Sequence, residues 1–277
     1  YSLESVALIH KGRCHIIAGN PTINEEFITE DGRSLAFEIS PQSFYQVNPE
    51  QMERLYDIAA GYALGEDAAG SASGCAVSAP DRDRLNNSLP AEPQNTENKV
   101  ILDLYCGAGT IGIWILDGLR RRDPKAFEKT RVIGIESIKP AVIDANRNSV
   151  INGLVNTRYI CGKAEEELPG MMGLAKLYKW NEVNERVERE PEIRIEHADV
   201  AVLAPPRAGC AEPLLDAVLQ AAPDRIVYVS CDPGTLARDI KYLTANGYEF
   251  IECTPVDQFP WTSHVETVCL MSRLEGK

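Results

Sequence analysis

A chain of 277 residues that is 44% hydrophobic can bury one large core, or one domain with a smaller appendage. A net charge of −13 excludes a broad, self-sufficient basic face for nucleic acid, while leaving room for a local basic groove. No apolar stretch reaches the length of a membrane span, the N-terminus lacks the regions of a signal peptide, and the eight cysteines contain no C-x-x-C pair; a cytoplasmic protein with reduced thiols and no metal is the expectation.

Residues 1–48 are rich in β-branched and aromatic side chains broken by turn signals at Gly19-Asn20-Pro21 and Asp31-Gly32, which predicts short strands in a small β appendage, the remnant of a β-rich domain. Residues 49–64 place Met52, Leu55, Tyr56, Ala59 and Ala60 at helical spacing behind Asn48-Pro49, a capping pair. Residues 65–99 hold Gly, Ala, Ser, Asn and Pro without periodicity and read as an insertion. From Val100 strands and helices alternate. Strands are predicted at 100–105, 131–136, 157–161, 199–204, 225–230, 248–253 and 265–271, with helices near 109–121, 139–152, 213–222 and 234–246. Repeated β-α units over 49–277 imply a seven-stranded, mostly parallel sheet covered on both faces. The charge-laced stretch 170–192 reads as a second, helical insertion.

Two places carry chemistry. Gly107-Ala108-Gly109-Thr110-Ile111-Gly112 follows the first strong strand and opens a helix, the context of a nucleotide-binding glycine turn. Glu136 ends the next strand, where a carboxylate can take two ribose hydroxyls, and Asp103 lies within the first strand, where it can reach a cationic amino-acid moiety. The glycines alone do not separate a dinucleotide from S-adenosylmethionine, nor either from a structural turn; Asp103 and the lack of a second mononucleotide unit favour the methyl donor. The second place is Cys231, where the run 225–230 breaks at Asp232-Pro233, with Glu266 opening the last strand. By itself Cys231 reads as a small buried hydrophobe and Glu266 as a surface acid. On neighbouring strand ends they would form a nucleophile–base pair.

The stretches SPQSFYQVNPEQ (40–51), ILDLYCGAGTIG (101–112), GIE (134–136), GKAEE (162–166), PPRAGC (205–210), YVSCDPGTLARD (228–239) and PVDQFPWTSHVETVCLM (255–271) together resemble the RNA (uracil-5-)-methyltransferases, with wording similar to the bacterial 23S ribosomal-RNA branch. The resemblance implies a class I, Rossmann-like S-adenosylmethionine-dependent fold that makes 5-methyluridine in ribosomal RNA, with tRNA as the alternative substrate. It assigns the nucleophile to Cys231 and the carbon-5 proton base to Glu266. It places Gln46, Tyr105 and Glu136 at the methyl donor, with Thr110 at a fourth contact. The chemistry agrees: carbon 5 of uracil is a poor nucleophile until a thiolate adds at carbon 6, and a base must then remove the carbon-5 proton. The target base must also leave its stack, for which Phe44, Tyr45 and Phe259 are candidate platforms, each more readily read as core. A lowered thiol pKa is expected from the helix after Pro233 or from Arg238. His264 is a candidate orienter or a packed histidine, and Arg207 reads as a phosphate contact or an acid's partner.

The chain departs from the family at two points. The fourth-strand motif usually begins with aspartate, as D-P-P-R, and here holds Ala204, at a position lining the donor and target-base pocket. That loss leaves an engineered change, rerouted contacts, or an RNA-binding or RNA-folding homologue without efficient turnover as competing accounts; a nicotinamide-dependent oxidoreductase is the reading from another class. Family members also carry an RNA-binding β-barrel and often an iron–sulfur cysteine cluster ahead of this region. Neither precedes Tyr1, so a truncated or short form is the expectation.

Overall fold

The runs of Val, Ile and Leu become the centre of a sheet in the computed structural model, which describes residues 5–10, 13–29, 32, 34–65, 98–180 and 185–274. Two antiparallel hairpins come first: β1 (Ser5–His10) with β2 (Arg13–Gly19), and β3 (Ile23–Ile28) with β4 (Ser34–Ile39). Helix α1 (Pro49–Leu64) follows, its first turn capped by Asn48, whose side chain accepts from the Gln51 N–H. The insertion read at 65–99 falls almost entirely outside the described residues.

The main sheet is built from β5 (Lys99–Leu104), β6 (Thr130–Glu136), β7 (Thr157–Cys161), β10 (Val200–Leu203), β11 (Arg225–Ser230), β12 (Tyr248–Val256) and β13 (Glu266–Arg273). Its order is β12-β13-β11-β10-β5-β6-β7. Every strand runs one way except β13, which is antiparallel to both neighbours. The connecting helices are α2 (Thr110–Arg122), α3 (Pro124–Lys129), α4 (Lys139–Ile151), α5 (Ala164–Met171), α6 (Glu212–Ala221) and α7 (Pro233–Ala245). Alternate strand residues divide between two cores. Ile101, Val202 and Val227 face one side with Leu55 and Ile113, while Leu102, Leu203 and Ile226 face the other with Leu168, Leu214 and Leu236. Near-continuous apolar strands are what a sheet buried on both faces requires.

The helical insertion read at 170–192 is a correction. Among its described residues, β8 (Leu177–Trp180) and β9 (Arg186–Arg189) form an antiparallel hairpin. Cross-strand pairing outweighs the charge pattern: the Arg186 guanidinium stacks 4.1 Å over the Tyr178 ring, and Lys176 pairs with Glu188 at 2.8 Å. A second correction concerns the thiols. Cys253 and Cys269 sit opposite each other on β12 and β13 and are joined by a disulfide, so the expectation of wholly reduced cysteines does not hold for this pair.

The open edge of β4 is covered in an unusual way. Asp144 and Asn148 on α4 and Asn152 at its C-cap recur every fourth residue, about 6.0 Å apart, close to the roughly 6.8 Å between alternate residues of a strand. They meet the outward N–H groups of Ser40, Glu38 and Ala36 at 2.8, 2.7 and 2.9 Å. Asn152 returns a bond to the Ala36 carbonyl at 2.8 Å, and Asn148 reaches on to the Ala108 carbonyl at 3.0 Å. An edge strand is thereby closed with one side-chain carboxylate and two amides, and the hairpin is tied to the glycine turn. No helix among the described residues is long and apolar enough to cross a membrane.

Candidate active site

At the C-terminal edge of β5 the chain turns sharply. Tyr105 takes the left-handed conformation (φ 62°), as do Gly107 (φ 55°) and Gly109 (φ 78°). A Cβ on Gly109 would stand 2.8 Å from the Tyr159 ring and 3.0 Å from Ala145, so the turn lies flat against β7 and α4 only because that residue is glycine. Gly109 is also the N-cap of α2 and offers no side-chain cap, so no cap side chain stands over the first-turn N–H groups, of which that of Gly112 turns inward to Asp103.

Two acids organise this turn, and a third holds the segment before it. Glu136, at the end of β6, accepts from the Gly107 N–H at 3.1 Å and from the Ile138 N–H at 2.8 Å. Asp103 lies fully buried beneath it; one oxygen accepts from the Gly112 N–H at 3.0 Å and the other has no partner among the described residues. Burial pushes its carboxyl up to about 7. The amino-acid role expected for Asp103 is therefore limited to that one unpartnered oxygen. Asp144 is the third, on α4, where it holds Ser40 and Ser43. The Thr110 hydroxyl turns inward to Tyr56, 2.9 Å away. Gln46 is buried on the loop after β4 with its side-chain oxygen unpartnered among the described residues, and Tyr105 is half-buried against the core that holds Leu102 and Leu203. The open helix end, the glycine cradle and the orphaned oxygens of Gln46 and Asp103 fit a nucleoside with a cationic tail.

One strand over, β10 ends at Leu203 and Ala204 follows, its N–H donating to the Leu104 carbonyl at 3.1 Å. Ala204 thus stands between the strand that leads into the glycine turn and the strand that leads to Cys231. Because β13 runs against its neighbours, its first residue falls at the edge where β11 ends: Ser230 pairs with Thr267, which sets Cys231 beside Glu266. Sequence spacing alone could not reveal this; the single strand reversal does it. Glu266 is buried, and burial pushes its carboxyl up. Burial also pushes the Cys231 thiol up, the Glu266 carboxylate adds to that, and the Arg207 guanidinium opposes both.

The cation at the thiol is a correction. Arg238 bonds to Asp239 at 2.8 Å and to the carbonyls of Ala208 and Cys210, turned away from Cys231. Arg207 takes the place expected for it, with its guanidinium 3.5 Å from the His264 ring. Asp232 caps α7 by accepting from the Thr235 N–H at 2.9 Å. Among the expected platforms, Phe44 is 71% exposed, Tyr45 packs on the core, and Phe259 meets His264 edge-on with ring centres 6.4 Å apart. Sequence reading missed Tyr56, whose hydroxyl feels both Asp103 and Glu266, and Gln258, which is buried with its oxygen unpartnered. It also missed the amide ladder, although three polar residues at four-residue spacing on one helix were a legible signal. Among the described residues no cluster could hold a metal ion.

A family model described as tRNA (uracil-5-)-methyltransferase matches residues 89–274. Proteins named as uncharacterized RNA methyltransferases from Caldanaerobacter subterraneus subsp. tengcongensis and Halalkalibacterium halodurans are 38% and 34% identical over 98% and 95% of this chain. The chain spans 48% and 45% of those two relatives, about half their length. The solved structure of Pyrococcus abyssi tRNA (uracil-54, C5)-methyltransferase in complex with S-adenosyl-L-homocysteine is similar with a TM-score of 0.59 at 25% identity, covering 92% of this chain and 46% of that one.

Proposed function

The chain belongs to the tRNA (uracil-5-)-methyltransferase family, and from that membership we propose that it methylates carbon 5 of a uracil in RNA with S-adenosylmethionine as donor. The observation that carries this reading is the pairing of Cys231 and Glu266 at one sheet edge, with Arg207 beside them and the glycine turn two strands away, across β10. Gly107, Gly109 and the first turn of α2 would hold the donor's amino-acid end and Glu136 its ribose. The oxygens of Gln46 and Asp103 are the free acceptors for its cationic groups. Tyr105 would flank it, and Thr110 would contribute its backbone, since its hydroxyl is engaged by Tyr56.

When bound, S-adenosylmethionine supplies an electrophilic methyl group. Cys231, as thiolate, adds to carbon 6 of the ring and drives an electron pair onto carbon 5, which takes the methyl. Glu266 then accepts the proton from carbon 5, the pair returns to the ring double bond, and Cys231 leaves as thiolate. The raised carboxyl of Glu266 suits a group that must hold this proton, and Arg207 suits the thiolate at the start and end of the cycle. Ala204 lacks the carboxylate that would hold the ring, so turnover rests on the remaining contacts.

Ribosomal RNA is the substrate to which the motifs point, with transfer RNA as the alternative. The protein should be incubated with S-adenosylmethionine and either 23S ribosomal or transfer RNA transcripts, and the digested nucleosides examined by mass spectrometry. 5-Methyluridine in the ribosomal arm supports the full reading, and in the transfer-RNA arm alone it corrects the substrate. Its absence from both, with RNA and donor bound, favours an RNA-binding homologue without turnover, as Ala204 would explain.

A further inference from the structure

We propose that Trp261 is a stacking platform for an unpaired RNA base next to the target uridine, an inference that rests on the reading above. Trp261 is fully exposed, and its backbone holds the left-handed conformation (φ 66°) that a bulky residue adopts only at a cost. Its loop is nevertheless well braced. The Thr262 N–H and hydroxyl both donate to the Phe259 carbonyl, at 3.2 and 2.7 Å, and the His264 N–H donates to the Thr262 hydroxyl at 3.1 Å. The indole is therefore presented outward on a fixed turn, five residues before Glu266 in the chain.

The surroundings indicate what it meets. A two-way amide pair joins this loop to the segment after β4: the Gln258 amide donates to the Asn48 carbonyl at 3.2 Å, and the Asn48 amide to the Gln258 carbonyl at 3.4 Å. That segment carries Phe44 and Val47, 71% and 74% exposed. Large apolar side chains thus stand on two joined segments, and the loop that carries Trp261 also carries His264, whose ring meets the Arg207 guanidinium at 3.5 Å. A flat aromatic face next to a guanidinium is the surface that single-stranded RNA uses, with bases on the rings and phosphate on the cation.

The test uses uridine-containing single-stranded RNA and the whole chain in its wild-type, Trp261→Phe, Trp261→Ala and Trp261→Gly forms. RNA affinity is read by anisotropy, indole fluorescence by titration with the same RNA, and thermal midpoint for each protein. The alanine and glycine forms should lose about tenfold in affinity, the size of one base–aromatic stack, and the phenylalanine form should keep most of it. RNA should quench the wild-type indole signal, and that quenching should vanish in Trp261→Phe. Trp261→Gly should melt no lower than wild type, since glycine accepts the left-handed turn, which separates lost stacking from lost folding. Unchanged affinity in Trp261→Ala, alongside covalent capture of 5-fluorouridine RNA by Cys231, would overturn the role of Trp261 and leave the uracil reading standing. Failure of wild type to bind or capture RNA would overturn both.

Discussion

Replacing Asn148 by alanine tests how the N-terminal hairpin is tied to the cofactor turn. Asn148 is wholly buried and makes two bonds through its side chain, accepting from Glu38 at 2.7 Å and donating to the Ala108 carbonyl at 3.0 Å. Two bonds of about 1 kcal/mol are lost, and a carbonyl in a buried turn gives up that donor at a further cost of about 1 kcal/mol or more, so the total is roughly 3 kcal/mol. For a domain of this size, that lowers the thermal midpoint by roughly 6–12 °C. Arg147→Ala is the control: Arg147 sits on the same helix and pairs with Glu38 at 3.1 Å, but at the surface, where such a pair contributes about 1 kcal/mol at most. Calorimetry on the three proteins decides the matter. An Asn148→Ala midpoint no lower than that of Arg147→Ala would refute the ladder as the tie.

Three other changes probe the site. Asp103→Asn should remove a slope from the stability curve: the folded carboxyl, pushed up to about 7 from 3.8, binds a proton that the unfolded chain has released, so wild-type stability falls as pH rises from about 4 to about 7. The difference between the two proteins should approach on the order of 4 kcal/mol across that window in denaturant titrations, and parallel curves would contradict it. Gly109→Ala, with its Cβ 2.8 Å from the Tyr159 ring, should abolish S-adenosylmethionine binding by calorimetry; binding within about twofold of wild type would show that the turn is not the cofactor site. Arg207→Met should move the pH dependence of Cys231 alkylation to higher pH and Glu266→Gln should move it lower, since the guanidinium holds the thiol down and the carboxylate pushes it up. Shifts in the same direction would mean that the two groups do not flank the thiol.

Most of the sheet was legible because its strands are buried on both faces and read as unbroken apolar runs, as at 225–230, while helices such as 49–64 announce themselves by capping and spacing. The hairpin at Leu177–Trp180 and Arg186–Arg189 was not, because its residues alternate charge and aromatic character over four positions only, too few for a period to stand out. Cys231 and Glu266 were legible as types, and the reversal of β13 explains their meeting. Arg207 was misjudged against Arg238 because both follow the right motifs, and only the side-chain direction separates them. The Cys253–Cys269 disulfide depends on cross-strand register, which scattered cysteines do not disclose.

The central claim is that Cys231 attacks carbon 6 of a uracil and Glu266 removes the proton from carbon 5. RNA containing 5-fluorouridine tests it most directly, since fluorine cannot leave as a proton and the adduct is trapped after methyl transfer. With S-adenosylmethionine present, the account predicts a methylated, covalent RNA adduct on the peptide that contains Cys231, found by mass spectrometry and absent from Cys231→Ala. Glu266→Gln should form the same adduct with ordinary uridine RNA, because nothing then removes the proton. RNA bound by the wild-type protein without any adduct on Cys231 would contradict the account.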